Sequence, residues 1–487
     1  MLNTYYPLLS FLPILALLVI SLWKGVKAAV YAGLGLTAAL FFLGGNGLPP
    51  FLASLVSALV GTVNILMIIF GALLLYHIME QKQYIEGIKD SLARIHPQRE
   101  VRFFFLALFL TAFFESVAGF GTPGAIVPLL LISLGYSPVL AIASILLIDG
   151  LFAVSGAVGT PVIAGLELPL GLSVEQTTDI YMLAAIAIAV GGLVVMAFVY
   201  RYLRKESETP IGWQGWVMYL AIMVPYALLA GFLKELTGIV AALIMAVVSI
   251  AFIFRERKIN LRPWAPYGLL VFLLLLPKLI PPLGEFLAFK LEVEGLFGTE
   301  IGAGLQPLRS PLVPFLVATG FALYLVKDFQ VKLKPVFTKT VAVFLVLFPS
   351  LAITQLMLNG GTEELPSMID ALAGVFVKTG ETYPVFSPII GVIGAFMTGS
   401  TTVSNVIFGP VQYSAAQELA LNPDTILGLQ LAGASLGNAV CLFNIIAAAA
   451  VAGVKDFRGI LQKNLLPVLL ASLAIAAVGF GAIWMLG

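Results

Sequence analysis

An all-α polytopic membrane protein built as an inverted repeat is the fold class this sequence predicts, and three observations predict it. Of the 487 residues, 60% are hydrophobic and 10% charged, with a mean hydropathy of +1.05, whereas a soluble domain carries roughly 25% charge. The apolar residues fall into runs long enough to cross a hydrocarbon core of ~30 Å. Two of these runs, in opposite halves of the chain, are interrupted by polar and helix-breaking residues. Lipid tolerates such breaks only where other protein or a watery cavity supplies partners. Together the runs amount to about 12 to 14 membrane segments.

The same composition excludes several classes. A net charge of +1, with Lys and Arg in short clusters between apolar runs, leaves no footprint for nucleic acid. The lone cysteine, Cys441, permits no intrachain disulfide. His77 and His96 lie far from any cysteine or acidic cluster, so neither a metal site nor a cofactor is expected. Charge therefore reads as topology.

Taken in order, spans are expected near 6–23, 28–43 and 55–79. The first has no basic stretch before it and carries Lys24 and Lys27 after it, which reads as a retained span and not a cleaved leader. The loop 80–102 holds Lys82, Lys89, Arg94, Arg99 and Arg102, which the positive-inside tendency assigns to the cytoplasm, as it does Lys24 and Lys27. The first broken region, 103–164, leads to an acidic segment with Glu167, Glu175 and Asp179, expected outside. Span 181–200 returns to Arg201, Arg204 and Lys205. Spans 213–232 and 239–254 exit and re-enter, reaching Arg255, Arg257, Lys258 and Arg262. Span 267–283 exits to an acidic loop with Glu285, Glu292, Glu294 and Glu300; 311–325 re-enters toward Lys327, Lys332 and Lys334; 335–358 exits to Glu363, Glu364 and Asp370. The second broken region, 384–453, ends at the cytoplasmic cluster Lys455, Arg458 and Lys463, and 465–486 is the last span. Both termini come out extracellular, on a multi-pass protein of the cytoplasmic membrane.

The two broken regions correspond. Ala112-Phe-Phe-Glu-Ser aligns with Ala395-Phe-Met-Thr-Gly-Ser, and Tyr136-Ser-Pro138 with Leu421-Asn-Pro423, at intervals of about 26 and about 28 residues, a spacing that a structural repeat keeps. A second break, Ser155-Gly-Ala-Val-Gly-Thr-Pro161, faces Gly433-Ala-Ser-Leu-Gly-Asn438. The first region runs from a basic loop to an acidic one and the second the other way, so the halves 1–233 and 234–487 are expected to be inverted. Paired breaks in inverted halves point to a transporter whose substrate sits at the midplane.

Glu115, about thirteen residues past Arg102, comes out roughly 20 Å into the membrane, and Asp149, about eleven past Pro138, roughly 16 Å. A carboxylate at such depth costs about 2.5 to 3.5 kcal/mol on insertion scales, so both are candidate proton carriers; the alternative is a structural acid at a helix interface. Gly119-Phe-Gly-Thr-Pro-Gly124 frees backbone amides at the start of the next helix, which suits a carboxylate ligand. That makes Gly119, Phe120, Gly121 and Thr122 candidate substrate contacts. Ser400, Thr401, Thr402, Ser404, Asn405 and Asn438 supply hydroxyl and amide groups for a carboxylate and a neighbouring hydroxyl, although Ser and Thr in a span often bond their own helix.

At these residues the chain resembles the L-lactate permease family. Glu115-Ser-Val-Ala-Gly-Phe-Gly-Thr-Pro123 is similar to its Glu-x-x-Ala-Gly-Phe-Gly-x-Pro signature, and Thr398-Gly-Ser-Thr-Thr-Val-Ser-Asn405, with Gln412 and Ala415-Ala-Gln417, to its second. The resemblance implies a carrier of lactate or glycolate coupled to protons, with a small monocarboxylate and the bilayer as its partners and no enzymatic reaction. It also implies an acid at Thr401, a lysine at Asn438 and a neutral Asn at Asp149, and this chain departs at all three. Sodium coupling with another organic anion is the competing expectation. An intramembrane enzyme using Glu115 and Asp149 as an acid and base pair is a further one; a channel is disfavoured because no charged ring or carbonyl filter is evident.

Overall fold

The chain folds as an all-α polytopic membrane protein. The computed structural model describes residues 6, 8–92, 95–119, 121–207, 212–254, 260–287, 289–305, 307–308 and 310–486. Arg94, Phe120, Arg255, Arg257 and Lys258 lie outside the described residues. Among those described, eight helical stretches are long and apolar enough to cross a membrane. They include Val26–Leu43, Leu48–Gln81, Val174–Glu206, Lys334–Leu358 and Phe457–Trp484, each overlapping an expected span.

Local chemistry sets the ends. Val174–Glu206 starts on a capping box in which the Ser173 hydroxyl accepts from the Gln176 amide at 3.2 Å and the Gln176 side chain accepts from the Ser173 amide at 3.0 Å, satisfying two otherwise orphaned donors. Ser137 and Asn422 cap helices whose first residue is a proline, where the missing N–H costs nothing. A long apolar stretch splits at Lys234, whose φ of 50° and ψ of −114° separate Gln214–Leu233 from Thr237–Phe252.

Three local expectations are corrected. The loop 80–102 contains a helix, Tyr84–Leu92. The expected span 267–283 is a helix only over Ala265–Leu279, because Pro281 and Pro282 start a new short helix, Pro281–Leu287; proline cannot continue the hydrogen-bond ladder. The acidic loop beyond it carries an antiparallel pair of strands, β1 (Leu291–Val293) and β2 (Ala303–Leu305).

The broken regions supply eight helices, numbered here in chain order. The first region gives α1 (Thr111–Val117), α2 (Thr122–Ser133), α3 (Pro138–Asp149) and α4 (Gly156–Val162). The second gives α5 (Tyr383–Thr398), α6 (Thr401–Glu418), α7 (Pro423–Gly437) and α8 (Leu442–Val451). Helices α5 and α7 cross with their backbones touching: a Cβ on Gly391 would stand 2.6 Å from the Ala434 nitrogen, and one on Gly437 2.6 Å from the Val392 oxygen. Small residues permit that approach, and in lipid van der Waals packing is the main force holding helices together. Leu48–Gln81 packs on Lys334–Leu358 and Leu312–Val326, while Val174–Glu206 joins α7 to Phe457–Leu486.

Polar ties fix the remote ends. Lys82 Nζ lies 2.5 Å from Asp328 Oδ2. That hydrogen bond holds the Asp328 carboxyl below its ordinary range, so this surface tie is present at neutral pH and is lost as pH falls through the lowered value. At the foot of α2, Arg99 donates to the Gly135 carbonyl at 2.6 Å. At the foot of α6, Ser414 donates to Asp370 at 2.7 Å. The Arg99 bond ties the end of α2 to the helical run that leads into α1, and the Ser414 bond ties α6 to the helix Met368–Phe376 that precedes α5.

Candidate functional site

Four chain breaks meet at one small cavity of about 60 Å³. The α1–α2 tip brings Glu115, Gly119 and Gly121; the α3–α4 break brings Asp149, Gly156 and Thr160; the α5–α6 tip brings Gly399, Ser400, Thr401 and Thr402; the α7–α8 break brings Asn438 and Asn444. The two hairpin tips turn on glycine. Gly119, Gly121 and Gly399 have φ of 58°, 74° and 71°, a region open to glycine and costly to residues with a Cβ.

The α3–α4 break is stranger. Ala157, Val158 and Gly159 form a buried left-handed turn, with φ of 42°, 53° and 77°. Left-handed backbone costs a residue with a Cβ roughly 1–2 kcal/mol, and the surrounding packing holds it. Ser155 bonds Tyr226 at 3.1 Å on one side, and Gly119 abuts the turn on the other. A Cβ on Gly119 would come 2.9 Å from the Ala157 Cβ and 3.1 Å from its nitrogen. Gly119→Ala is therefore expected to cost about 2–4 kcal/mol, left-handed strain plus overpacking, read as a drop in thermal unfolding temperature in detergent.

Two carboxyl groups face each other in the cavity wall. Glu115 and Asp149, 6% and 4% exposed, are in hydrogen-bonding contact. Ionised carboxylates are acceptors only, so this contact is a hydrogen bond when one of them carries a proton. Glu115 Oε2, Asp149 Oδ1 and Asn438 Oδ1 are buried without a partner among the described residues, and the residues that carry them line the cavity. Opposite them, Asn438 donates to Thr401 Oγ1 at 2.9 Å and Asn444 donates to the Asn438 carbonyl at 3.3 Å. The cavity also receives the start of α6, whose positive dipole end favours negative charge. The expected free amides at the start of α2 are fewer than the sequence suggested, because the Thr122 amide donates to the Gly119 carbonyl at 3.0 Å and Pro123 has no N–H.

The remaining candidates are placed as follows. The Ser400 hydroxyl caps α6 by accepting from the Val403 amide at 3.3 Å. Ser404 and Asn405 are outside the cavity: Ser404 donates to the Gly391 carbonyl at 3.1 Å and Asn405 to the Pro161 carbonyl at 3.0 Å. Both lie one turn, about 5 Å, beyond Thr401, where α6 is already clamped between neighbours. A Cβ on Gly165 would stand 2.8 Å from the Asn405 Cβ. Phe120 falls outside the described residues.

Sequence reasoning passed over Gln430, which is fully buried and donates to Ser404 at 3.2 Å and Asn405 at 3.3 Å. Its signal was a polar amide in the apolar run of α7. Gln430→Leu is expected to cost about 1–3 kcal/mol, because Asn405 Oδ1 loses its partner and Gln412 Nε2 keeps only the Ser387 carbonyl, again seen by thermal unfolding.

A second cavity of about 770 Å³ meets the first at Gly121, Gly399 and Asn444 and runs to the end of the protein that carries Glu80, Glu86 and Lys339. The family model that matches the chain is that of the L-lactate permease, over residues 2–260 and 305–486. The chain belongs to the L-lactate permease family. The matched region includes all four breaks, while the unmatched stretch contains the strand pair and the helices before it.

Individual relatives agree. The chain is 28% identical over 498 residues to an L-lactate permease of Halalkalibacterium halodurans, covering 93% of this chain and 92% of that one. It is 29% identical over 401 residues to an L-lactate permease of Streptococcus iniae, covering 76% and 81%. It is 24% identical over 452 residues to the glycolate permease GlcA of Escherichia coli K12, covering 79% and 78%. As a member of this family the chain is a multi-pass membrane protein of the transporter type.

Proposed function

We propose that the chain is a secondary active transporter of a small 2-hydroxymonocarboxylate, lactate or glycolate, that moves it with a proton across the cytoplasmic membrane. The observation that carries this reading is the convergence of four helix breaks on one small cavity that holds both a carboxyl pair and the N-terminus of α6. The substrate carboxylate sits at the start of α6, where backbone amides and the helix dipole favour an anion. Its hydroxyl donates to Asn438 Oδ1, an acceptor otherwise without a partner. The proton resides between Glu115 and Asp149, so that substrate and proton cross as a neutral pair, and a neutral pair avoids most of the cost of taking an anion out of water.

The hairpins support an inverted repeat. Both have tips at the cavity, and their bases lie at Arg99 and Gly135 for one and at Asp370 and Ser414 for the other, which charge assigns to opposite faces. In this arrangement the larger cavity opens toward the cytoplasm, both termini are extracellular, and the packing of Gly165 on Asn405 closes the other side.

The test is uptake of labelled lactate into proteoliposomes under an inward proton gradient, with and without sodium. Proton-driven uptake that excess glycolate blocks is the expected result; uptake indifferent to pH would overturn the coupling. Dependence on sodium would favour the second reading, sodium coupling.

A further inference from the structure

The larger cavity carries an unpaired charge. Lys339 is exposed and forms no ion pair or hydrogen bond among the described residues, whereas Lys82 at the same end is tied to Asp328. Lys339 lies five residues past Lys334, where its helix starts, roughly 7–8 Å along the axis, and lines the cavity. Among the described residues lining this cavity it is the only cation, and it shares the wall with Glu80 and Glu86. Glu80 is held there by the Tyr76 hydroxyl at 3.3 Å. The same cavity ends on Gly121, Thr122 and Asn444 at the inner site. An anion travelling that route passes two like charges and one opposite charge.

We propose that Lys339 is a docking site for a small monocarboxylate in this vestibule, and that Glu80 and Glu86 restrict it to ligands with a single negative charge. The inference rests on the reading of the chain as a carboxylate carrier and adds where the substrate is first captured and how its charge is selected. A single carboxylate takes the Lys339 ammonium as its partner. A second carboxylate on the same molecule meets Glu80 or Glu86 and is repelled. Without Lys339 the wall is purely acidic, and capture slows for every anion.

The experiment uses the full chain in inside-out and right-side-out vesicles, with lactate flux measured from each face at low and high ionic strength. Lys339→Gln is expected to raise KM about 3- to 10-fold from the face onto which the cavity opens, with kcat within about twofold. KM from the other face stays as in the unaltered chain. The salt dependence of KM flattens, because the screened interaction is gone, and Lys339→Arg restores both. Glu80→Gln combined with Glu86→Gln is expected to make malate, a dicarboxylate, a competitor of lactate from that face alone. An unchanged KM in Lys339→Gln, or an equal rise from both faces, overturns the proposal while leaving the carrier reading intact. Failure of the unaltered chain to carry any monocarboxylate overturns the carrier reading itself.

Discussion

Glu115→Gln is expected to abolish accumulation of lactate driven by a pH gradient while exchange of labelled for unlabelled lactate persists. Glutamine has nearly the shape of the protonated acid and an N–H to offer Asp149, so the contact between the two side chains survives. What it lacks is the ability to give up a proton. A pH difference of one unit is worth about 1.4 kcal/mol, enough for about tenfold accumulation of a substrate that enters with one proton, and in the variant that ratio falls to about one. Asp149→Asn is expected to do the same, because one proton is held between two groups and either partner can break the cycle. The measurement is the steady-state ratio of internal to external lactate in proteoliposomes across an imposed gradient, with counterflow as the control for folding and binding. Normal accumulation in Glu115→Gln would remove the carboxyl pair from the coupling step.

The largest structural effect is expected at Gly433. Helices α5 and α7 cross there, and a Cβ on Gly433 would stand within 2.6 Å of the Pro388 carbonyl carbon and collide with the backbone around it. Backbone cannot swing aside as a side chain can. Overpacking of a good core typically costs about 1–3 kcal/mol, and more where nothing yields, so Gly433→Ala is expected at the upper end and Gly433→Leu to leave little folded protein. Gly320, in the helix Leu312–Val326, has nothing within 4 Å of the same position, and alanine in a helix interior is favoured over glycine by roughly 0.5–1 kcal/mol. Gly320→Ala is expected to raise the unfolding temperature slightly. Comparing the yields of monodisperse protein and the unfolding temperatures of the two variants in one detergent tests the crossing directly; equal behaviour would mean that α5 and α7 do not touch at Gly433.

Much of the fold was legible along the chain because what defines it is local. Apolar runs mark spans through their transfer free energy, and glycines at 119, 121 and 399 mark the two hairpin tips because those turns need a positive φ. The β1–β2 pair was not legible: strands of three residues in an acidic loop carry no periodicity against which to read them. Nor was the fate of Asn405 legible. It has the residue type of a ligand contact and the right helical spacing from Thr401, yet one turn farther on its amide is taken by the Pro161 carbonyl and by Gln430.

By itself the sequence determined the membrane class, the positions of the broken helices and the motifs that mark the family. These follow from hydropathy and backbone permissiveness, which act over a few turns of one helix. Only the tertiary structure decided that Glu115 comes close to Asp149, that Asn438 bonds Thr401, and that Lys339, with no ion pair among the described residues, lines the larger cavity. Those contacts depend on how each helix is rotated and where it crosses its neighbours. Rotation and crossing are set by the sum of many small packing contacts between distant segments, and no single stretch of sequence contains that sum.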